Sequence, residues 1–370
     1  MVFCQRRSGG RLLGLCCVVA ALLTGCGNTS PSATSKSTVG ASGTPTSSAS
    51  SACKTNTPFT EAVFQSELYL PDFVAKQEGF DAAHCIDMHF VTPSSGSAAA
   101  QLLLAGQVQG WFTDPLIILT AASKGQDIKV AGLVVPECSY YLLVSNKEQW
   151  PPASAPFDQK MQALKGKTIG VSGIGAGTDH ALLAGLASAG LSASDVHRIG
   201  IGQQQAAIGQ LEAGRIDAFV SFSLAGNQEI EQQTGAKLYV NYMSSSVPAS
   251  VRNIPGLAAA VQGTFATQQP QVVANWLAAN QEAMAWIQKN PDKAAAVLNA
   301  NVFKGAQLSL AKQIVPQLLS GPFSSVPPGY KFAPSEFTIA VNTLQELGIV
   351  NKSTTMTYAN TVISSAQQIG

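Results

Sequence analysis

Residues 164–180, LKGKTIGVSGIGAGTDH, hold the densest set of groups able to meet a ligand. A polar approach (Lys165, Gly166, Lys167) leads into a β-type run over residues 168–172. A turn follows with Gly173, Gly175 and Gly177, then a helix start at Thr178. Glycines there let backbone N–H groups come close to a ligand, and the free N–H groups of a helix's first turn carry partial positive charge. That chemistry suits an anionic or strongly polar small molecule. Two phosphate motifs compete for the same residues. A dinucleotide fingerprint wants a third glycine where Thr178 stands and an acid about twenty residues on, a place near which Asp195 falls. A P-loop ending at Gly166, Lys167 and Thr168 needs glycine where Met161 stands, and this GKT enters a strand instead of following it. A tight turn with no ligand is the plain alternative.

Groups suited to acid–base work are few. The histidines are His84, His89, His180 and His197. His84 and His89 flank Cys85 and Asp87 at a strand start and read as a satisfied surface pair rather than a metal site. His180, beside the glycine turn, reads as a first-turn helix residue more readily than as a base. No Cys-x-x-Cys pair exists, so zinc is not suggested. Neither a metal nor another cofactor is expected.

These groups need a frame to hold them. A chain of 370 residues, 46% hydrophobic and 12% charged, is not disordered and is long enough for two packed domains. Residues 1–25 carry Arg6, Arg7 and Arg11 and then an apolar run over 12–23, too short for a bilayer core, which needs about 20 residues. That is the form of a secretory signal. Arg6-Arg7 lacks the apolar follow-up of twin-arginine export, since Ser8, Gly9 and Gly10 come next. The end of the signal, Leu23-Thr24-Gly25-Cys26, resembles the bacterial lipobox, which implies that Cys26 is lipidated and anchors the protein to the outer face of the cytoplasmic membrane; a plain cleavage site is the alternative. Residues 26–52, rich in Ser, Thr and Gly, form a tether spanning roughly 30 Å. Without the three signal arginines the chain has 19 basic residues against 21 acidic. No basic patch with interleaved aromatics occurs, which argues against nucleic acid. Past the signal and Cys26, the cysteines are Cys53, Cys85 and Cys138. In an oxidising compartment the simplest count is one disulfide and one free thiol. Cys53 and Cys85 each precede one of the first two strands and are the favoured pair.

Periodicity and breakers predict strands over 61–70, 86–91, 108–112 and 128–135, with helices over 71–77, 98–105 and 116–123 between them. The same grammar returns over 168–221: strand 168–172, helix 178–189, strand 196–201, helix 203–213, strand 216–221. Ala105-Gly106 and Ala213-Gly214 end matching helices 108 residues apart, and Gly79 matches Gly190. Two tandem βαβ lobes are implied, each a parallel sheet covered by helices, with ligand loops at the carboxyl ends of the strands and a cleft between them. After a strand over 239–243 the chain reads as helical, over 271–289, 293–300, 308–319 and 335–347. These helices are expected to pack on the first lobe, so that lobe 1 is residues 53–145 with 244–370 and lobe 2 is 146–243. The crossings are expected near 144–147 and 240–244.

Six segments carry a family resemblance: AKQEGF (75–80), LLLAGQVQGWFTDP (102–115), KGQDIKVAGLV (124–134), LKGKTIGVS (164–172), AGLSASDV (189–196) and LEAGRIDAFV (211–220). Together they resemble extracytoplasmic solute-binding proteins of ABC importers in the nitrate, sulfonate and taurine group, which also includes pyrimidine-precursor binders. Gln109 stands where that family usually has Asp, and Leu224 where a Pro commonly follows. The resemblance implies the type II periplasmic-binding-protein fold, an α/β class of two lobes about a two-crossing hinge. It implies a monomeric receptor that binds a small solute and delivers it to a permease and its ATPase, touching the membrane only through its lipid. The ligand contacts it implies are Tyr69 and Leu70; Ser94, Ser95, Gly96 and Ser97; Thr113 and Asp114; Gly173, Ile174, Gly175, Ala176, Gly177 and Thr178; Gln203; and Ser221, Phe222 and Ser223. Alternatives stay open for several: Asp114 as a helix cap, Tyr69 as core, 94–97 as a connector, and Cys138, Ser139 and Tyr140 as a turn near the first crossing. No Arg falls on these loops, so a bare anion would rest on N–H groups and hydroxyls, and an organic solute stacking on Tyr69, Trp111, Tyr140 or Phe222 fits equally. An enzyme on the same fold, or a sensory lipoprotein that kept it, are the competing functions.

Overall fold

The computed structural model describes Cys53, residues 55–202 and residues 204–368; the expected signal, Cys26 and the expected tether lie outside the described residues, as does Gln203. Among the described residues, ten strands form two five-stranded sheets. They are β1 (Thr57–Ala62), β2 (Ile86–Val91), β3 (Gly110–Thr113), β4 (Ile128–Val135), β5 (Tyr141–Val144), β6 (Thr168–Val171), β7 (His197–Gly200), β8 (Ala218–Ser221), β9 (Lys237–Asn241) and β10 (Leu257–Gln262). The sheet orders are β2-β1-β3-β10-β4 and β7-β6-β8-β5-β9. Each sheet has the same plan: four strands run in one direction, and the fifth, which follows a crossing (β10 in the first sheet, β5 in the second), runs antiparallel between two of them. The expected tandem lobes are therefore present, but the sheets are mixed rather than parallel. The helix-ending glycines match as well: Gly79, Gly106, Gly190 and Gly214 all have positive φ, which only glycine adopts at no steric cost.

Four expectations are corrected. The first strand runs over Thr57–Ala62 and not 61–70, because Ser66 caps a 3₁₀ turn at Glu67–Tyr69 by accepting from Leu68 N–H. The strand Tyr141–Val144 belongs to the second sheet, so the first crossing is 136–140, upstream of the expected 144–147. The second crossing is 242–256. The region after Met243 is not purely helical, since it contributes β10, a central strand with sequence LAAAVQ whose first five residues are buried. Its alanines favour helix by propensity, and tertiary packing overrides them. The small side chains let flanking layers approach, and Gly132 on the adjacent β4 has Tyr330 against its Cα.

Alternation decides which core each strand serves. Along β5, Tyr141 and Leu143 join a small cluster with Ala207, Leu211, Phe219 and Ile230, while Leu142 and Val144 join the main core. In the first lobe, Trp276 of the helix Pro270–Lys289 packs on Phe59 and Phe112, with ring centroids 5.0 and 4.8 Å apart. Gly110 makes room for that cluster, because a methyl group there would stand 2.7 Å from the Phe59 ring. Cys53 and Cys85 form a disulfide, with Cα atoms 5.4 Å apart, at the same end of the parallel pair β1 and β2. No helix among the described residues is long and apolar enough to cross a membrane.

Candidate functional site

Loops after β1, β2, β3, β6, β7 and β8, together with both crossings, line one interlobe cavity of about 90 Å³. A second space of about 250 Å³ adjoins it, sharing Ser95, Gly96, Ile117, Ser172 and Ala176.

Asp114 ends β3 and starts the helix Pro115–Ser123. Its Oδ1 accepts from Leu116 N–H at 2.8 Å, a cap set by the Asp-Pro order of the sequence. Its Oδ2 lies 3.1 Å from His180 Nδ1 of the opposite lobe, and the two side chains are 4% and 3% exposed. A carboxylate only accepts, so the hydrogen sits on Nδ1. Asp114 is thus both a cap and a bridge across the cleft. His180, in the first turn of the helix Gly177–Ser188, is its partner.

Glu67 makes the second bridge. It is buried in the first lobe, and accepts from Ser223 Oγ–H at 2.6 Å and from Leu224 N–H in the second. Burial pushes its carboxyl above the usual range, and these hydrogen bonds partly offset that. Leu224, which stands where the family commonly has Pro, supplies an N–H that proline lacks.

The glycine turn is held from behind. Arg198 Nη1 donates to both oxygens of Asp179 at 2.7 Å, Asp179 Oδ2 accepts from Gly175 N–H at 2.8 Å, and Thr178 Oγ1 accepts from Ser172 N–H at 2.9 Å. Ala176 N–H donates to Gly173 O at 3.1 Å. Several of the N–H groups expected to meet a ligand are therefore engaged within the turn. Gly175 has φ +77°, and Gly177 has no room for a methyl group, which would overlap the Tyr140 hydroxyl.

Of the expected contacts, Tyr69, Ser94, Ser95, Gly96, Thr113, Asp114, Ala176, Gly177, Thr178 and Phe222 line the inner cavity. Ser97, Gly173, Ile174 and Gly175 line the outer one. Leu70 is core, fully buried. Ser221 and Ser223 lie behind the wall, where Ser221 accepts from Gln204 and Ser223 caps the helix Leu224–Thr234. Tyr69 is anchored by its O–H donating to Phe112 O at 2.6 Å while its ring faces the cavity wall. Trp111 and Tyr140, the other expected stacking rings, also line it. Sequence reasoning missed Phe64 and Leu68, hidden inside the misplaced first strand, and Gly256 and Leu257, hidden in the longer second crossing. Arg198, off these loops in sequence, reaches the turn through Asp179, and that acid was the available signal for it.

His84 lies 2.9 Å from Glu282 and His89 3.1 Å from Asp87, both on the surface. No cluster that could hold a metal ion occurs among the described residues. Gln109 serves lobe structure, accepting from Thr60 N–H at 2.8 Å.

No curated protein matches the chain. Many solved structures share its fold. The alkanesulfonate-binding protein SsuA from Xanthomonas axonopodis pv. citri, bound to MOPS, is 16% identical with TM-score 0.64, over 81% of this chain and 96% of that one. The periplasmic aliphatic sulphonate binding protein SsuA from Escherichia coli is 16% identical with TM-score 0.64, over 85% and 94%. The desulfurization enzyme DszB is 15% identical with TM-score 0.55, over 81% and 95%. At these identities the likeness is one of fold, the two-lobed α/β fold of periplasmic binding proteins. Residues 68–294, more than half of the sequence, match the family model described as NMT1/THI5 like, and the chain is a member of that family.

Proposed function

We propose that the chain is the solute receptor of an ABC importer, closing two lobes on a small organic solute and presenting it to a permease and its ATPase. The observation that carries this reading is the interlobe cavity, walled by Phe64, Tyr69, Trp111, Tyr140 and Phe222 and bridged by the buried contacts Asp114–His180 and Glu67–Ser223. Contacts that exist only with the lobes together bias a hinge toward closure, and a solute touching both lobes adds to that bias. The aromatic walls favour an organic solute with a ring over a bare inorganic anion. In this reading residues 1–25 direct export, Cys26 carries lipid, residues 26–52 tether a monomer to the membrane, and the lobes hinge at 136–140 and 242–256. The test is a thermal-shift screen of ring-bearing amines, sulfonates, aromatic acids and pyrimidines, together with nitrate: a true ligand at 100 times its Kd adds about 2.7 kcal/mol to stability. A screen in which none of these stabilises the protein removes the reading.

One observation favours a second reading, an enzyme. A histidine oriented by a buried carboxylate beside a cavity has the form of a general base with its orienting group. Against it, Cys138, beside the cavity, has its thiol pushed up by burial and by the charge of Asp114, away from the thiolate a nucleophile needs. Substrate turnover that His180→Ala abolishes would decide for the enzyme.

A further inference from the structure

We propose that Asp114 sets the charge preference of the cleft, so that the solute is a compact organic molecule with an ammonium or other N–H donor group and no negative charge; this rests on the receptor reading above. Three helices begin at the inner cavity, Gly96–Leu104, Pro115–Ser123 and Gly177–Ser188. Each first turn attracts negative charge. The first two are capped from within the chain. Ser95 Oγ accepts from Ala98 N–H at 3.2 Å in the first, and Asp114 Oδ1 accepts from Leu116 N–H at 2.8 Å in the second. The third has no side-chain cap at Ala176, but Asp114 Oδ2 reaches across the cleft to it: a methyl group on Gly177 would stand 2.8 Å from that oxygen. A sulfonate or nitrate approaching the first turn of this helix therefore meets the protein's own carboxyl group beside it.

No Lys or Arg side chain reverses the balance. Asp114 is the only Asp, Glu, Lys or Arg lining the inner cavity among the described residues. Arg198 is committed to Asp179 behind the turn, and Lys124 lines only the outer space. Oδ2 takes one hydrogen from His180 and keeps a lone pair for another donor. The rings of Tyr140, Trp111 and Phe222 line the same cavity, and π faces attract a cation. An entering anion meets a like charge at a desolvated wall, and an N–H donor meets an acceptor.

The experiment is calorimetric titration of the full chain with benzylamine and benzenesulfonate, rings of one size and opposite charge, and with nitrate. Benzylamine is expected to bind about tenfold or more tighter than benzenesulfonate, with nitrate giving no heat. Asp114→Asn keeps the oxygen that caps Leu116 and is expected to shrink that ratio about tenfold. Wild-type protein that prefers benzenesulfonate or nitrate overturns the proposal, as does a folded Asp114→Asn variant with an unchanged ratio. Should the variant fail to fold, the wild-type ratio decides alone. An anion that binds and stabilises the protein sinks only the charge assignment, whereas failure of every probe sinks the receptor reading with it.

Discussion

Gly177 is the tightest point of the cleft, with Tyr140 Oη and Asp114 Oδ2 both packed on its Cα. A side chain there cannot be absorbed by one lobe alone, because the two neighbours belong to the crossing and to the first lobe. Gly177→Ala is expected to cost about 1–3 kcal/mol and to weaken solute binding, read by melting and titration; unchanged binding would mean that the lobes do not close as described. Away from the cleft, Glu61 and Asp72 share a buried site. Trp276 Nε1–H donates to Glu61 Oε2 at 3.1 Å, Asn280 donates to Asp72, and Tyr330 O–H donates to Asn280 Oδ1 at 2.6 Å. Burial, then the charge of Asp72, raises the Glu61 carboxyl well above its ordinary value, and burial pushes Asp72 up to about 8. Both groups hold protons more tightly folded than unfolded, so this site's stabilisation is complete below about pH 4 and falls as pH rises toward 8. A melting series from pH 5 to 8 is expected to show a decline that Glu61→Gln makes shallower. A stability that climbs with pH equally in both proteins would contradict the assignment.

At the scale of elements, the disulfide ties the start of β1 to the start of β2 across a separation of 32 residues. Loop-closure entropy puts its contribution at about 4 kcal/mol, so Cys53→Ser with Cys85→Ser is expected to lower the unfolding free energy, read by chemical denaturation, by that amount; a loss under about 1 kcal/mol would show that the unfolded chain is already compact there. Elements with strong patterns were legible in the sequence: β4 was predicted at its observed bounds, and the long helix ending at Lys289 began one residue earlier than expected. What escaped were strands whose residues speak for something else. LAAAVQ carries helix propensity, and YLLV is a short apolar run whose sheet is set by partners far along the chain. The site shows the same split. Loops flagged by Gly, Ser or Asp were found, but Phe64, Leu68 and Leu257 reach the cavity only because a turn and a crossing place them there. Nor does spacing reveal that Asp114 and His180, 66 residues apart, meet across a cleft.

For the whole molecule, opening is expected to be reported by Cys138. Its thiol is 1% exposed on the first crossing, two residues from Tyr140 at the cavity wall. Weakening the Glu67 bridge with Ser223→Ala, which leaves the Leu224 N–H contact, forfeits about 1.4 kcal/mol of contact, which raises the open population about tenfold, and maleimide capture at Cys138, followed by peptide mass spectrometry, should accelerate by the same factor. Equal rates in both proteins would place the thiol outside the moving part.

That the first sheet takes its last strand, β10, from beyond the second lobe also sets an order of assembly. The first sheet has four of its strands by Val135 but lacks its neighbour for both β3 and β4 until Leu257–Gln262 arrives. A growing or translocating chain therefore cannot complete its first lobe before the second has been spelled out, and closure over so long an interval is slow. A chain ending at residue 256 would keep every residue of β1 to β4 and still lack a folded first lobe.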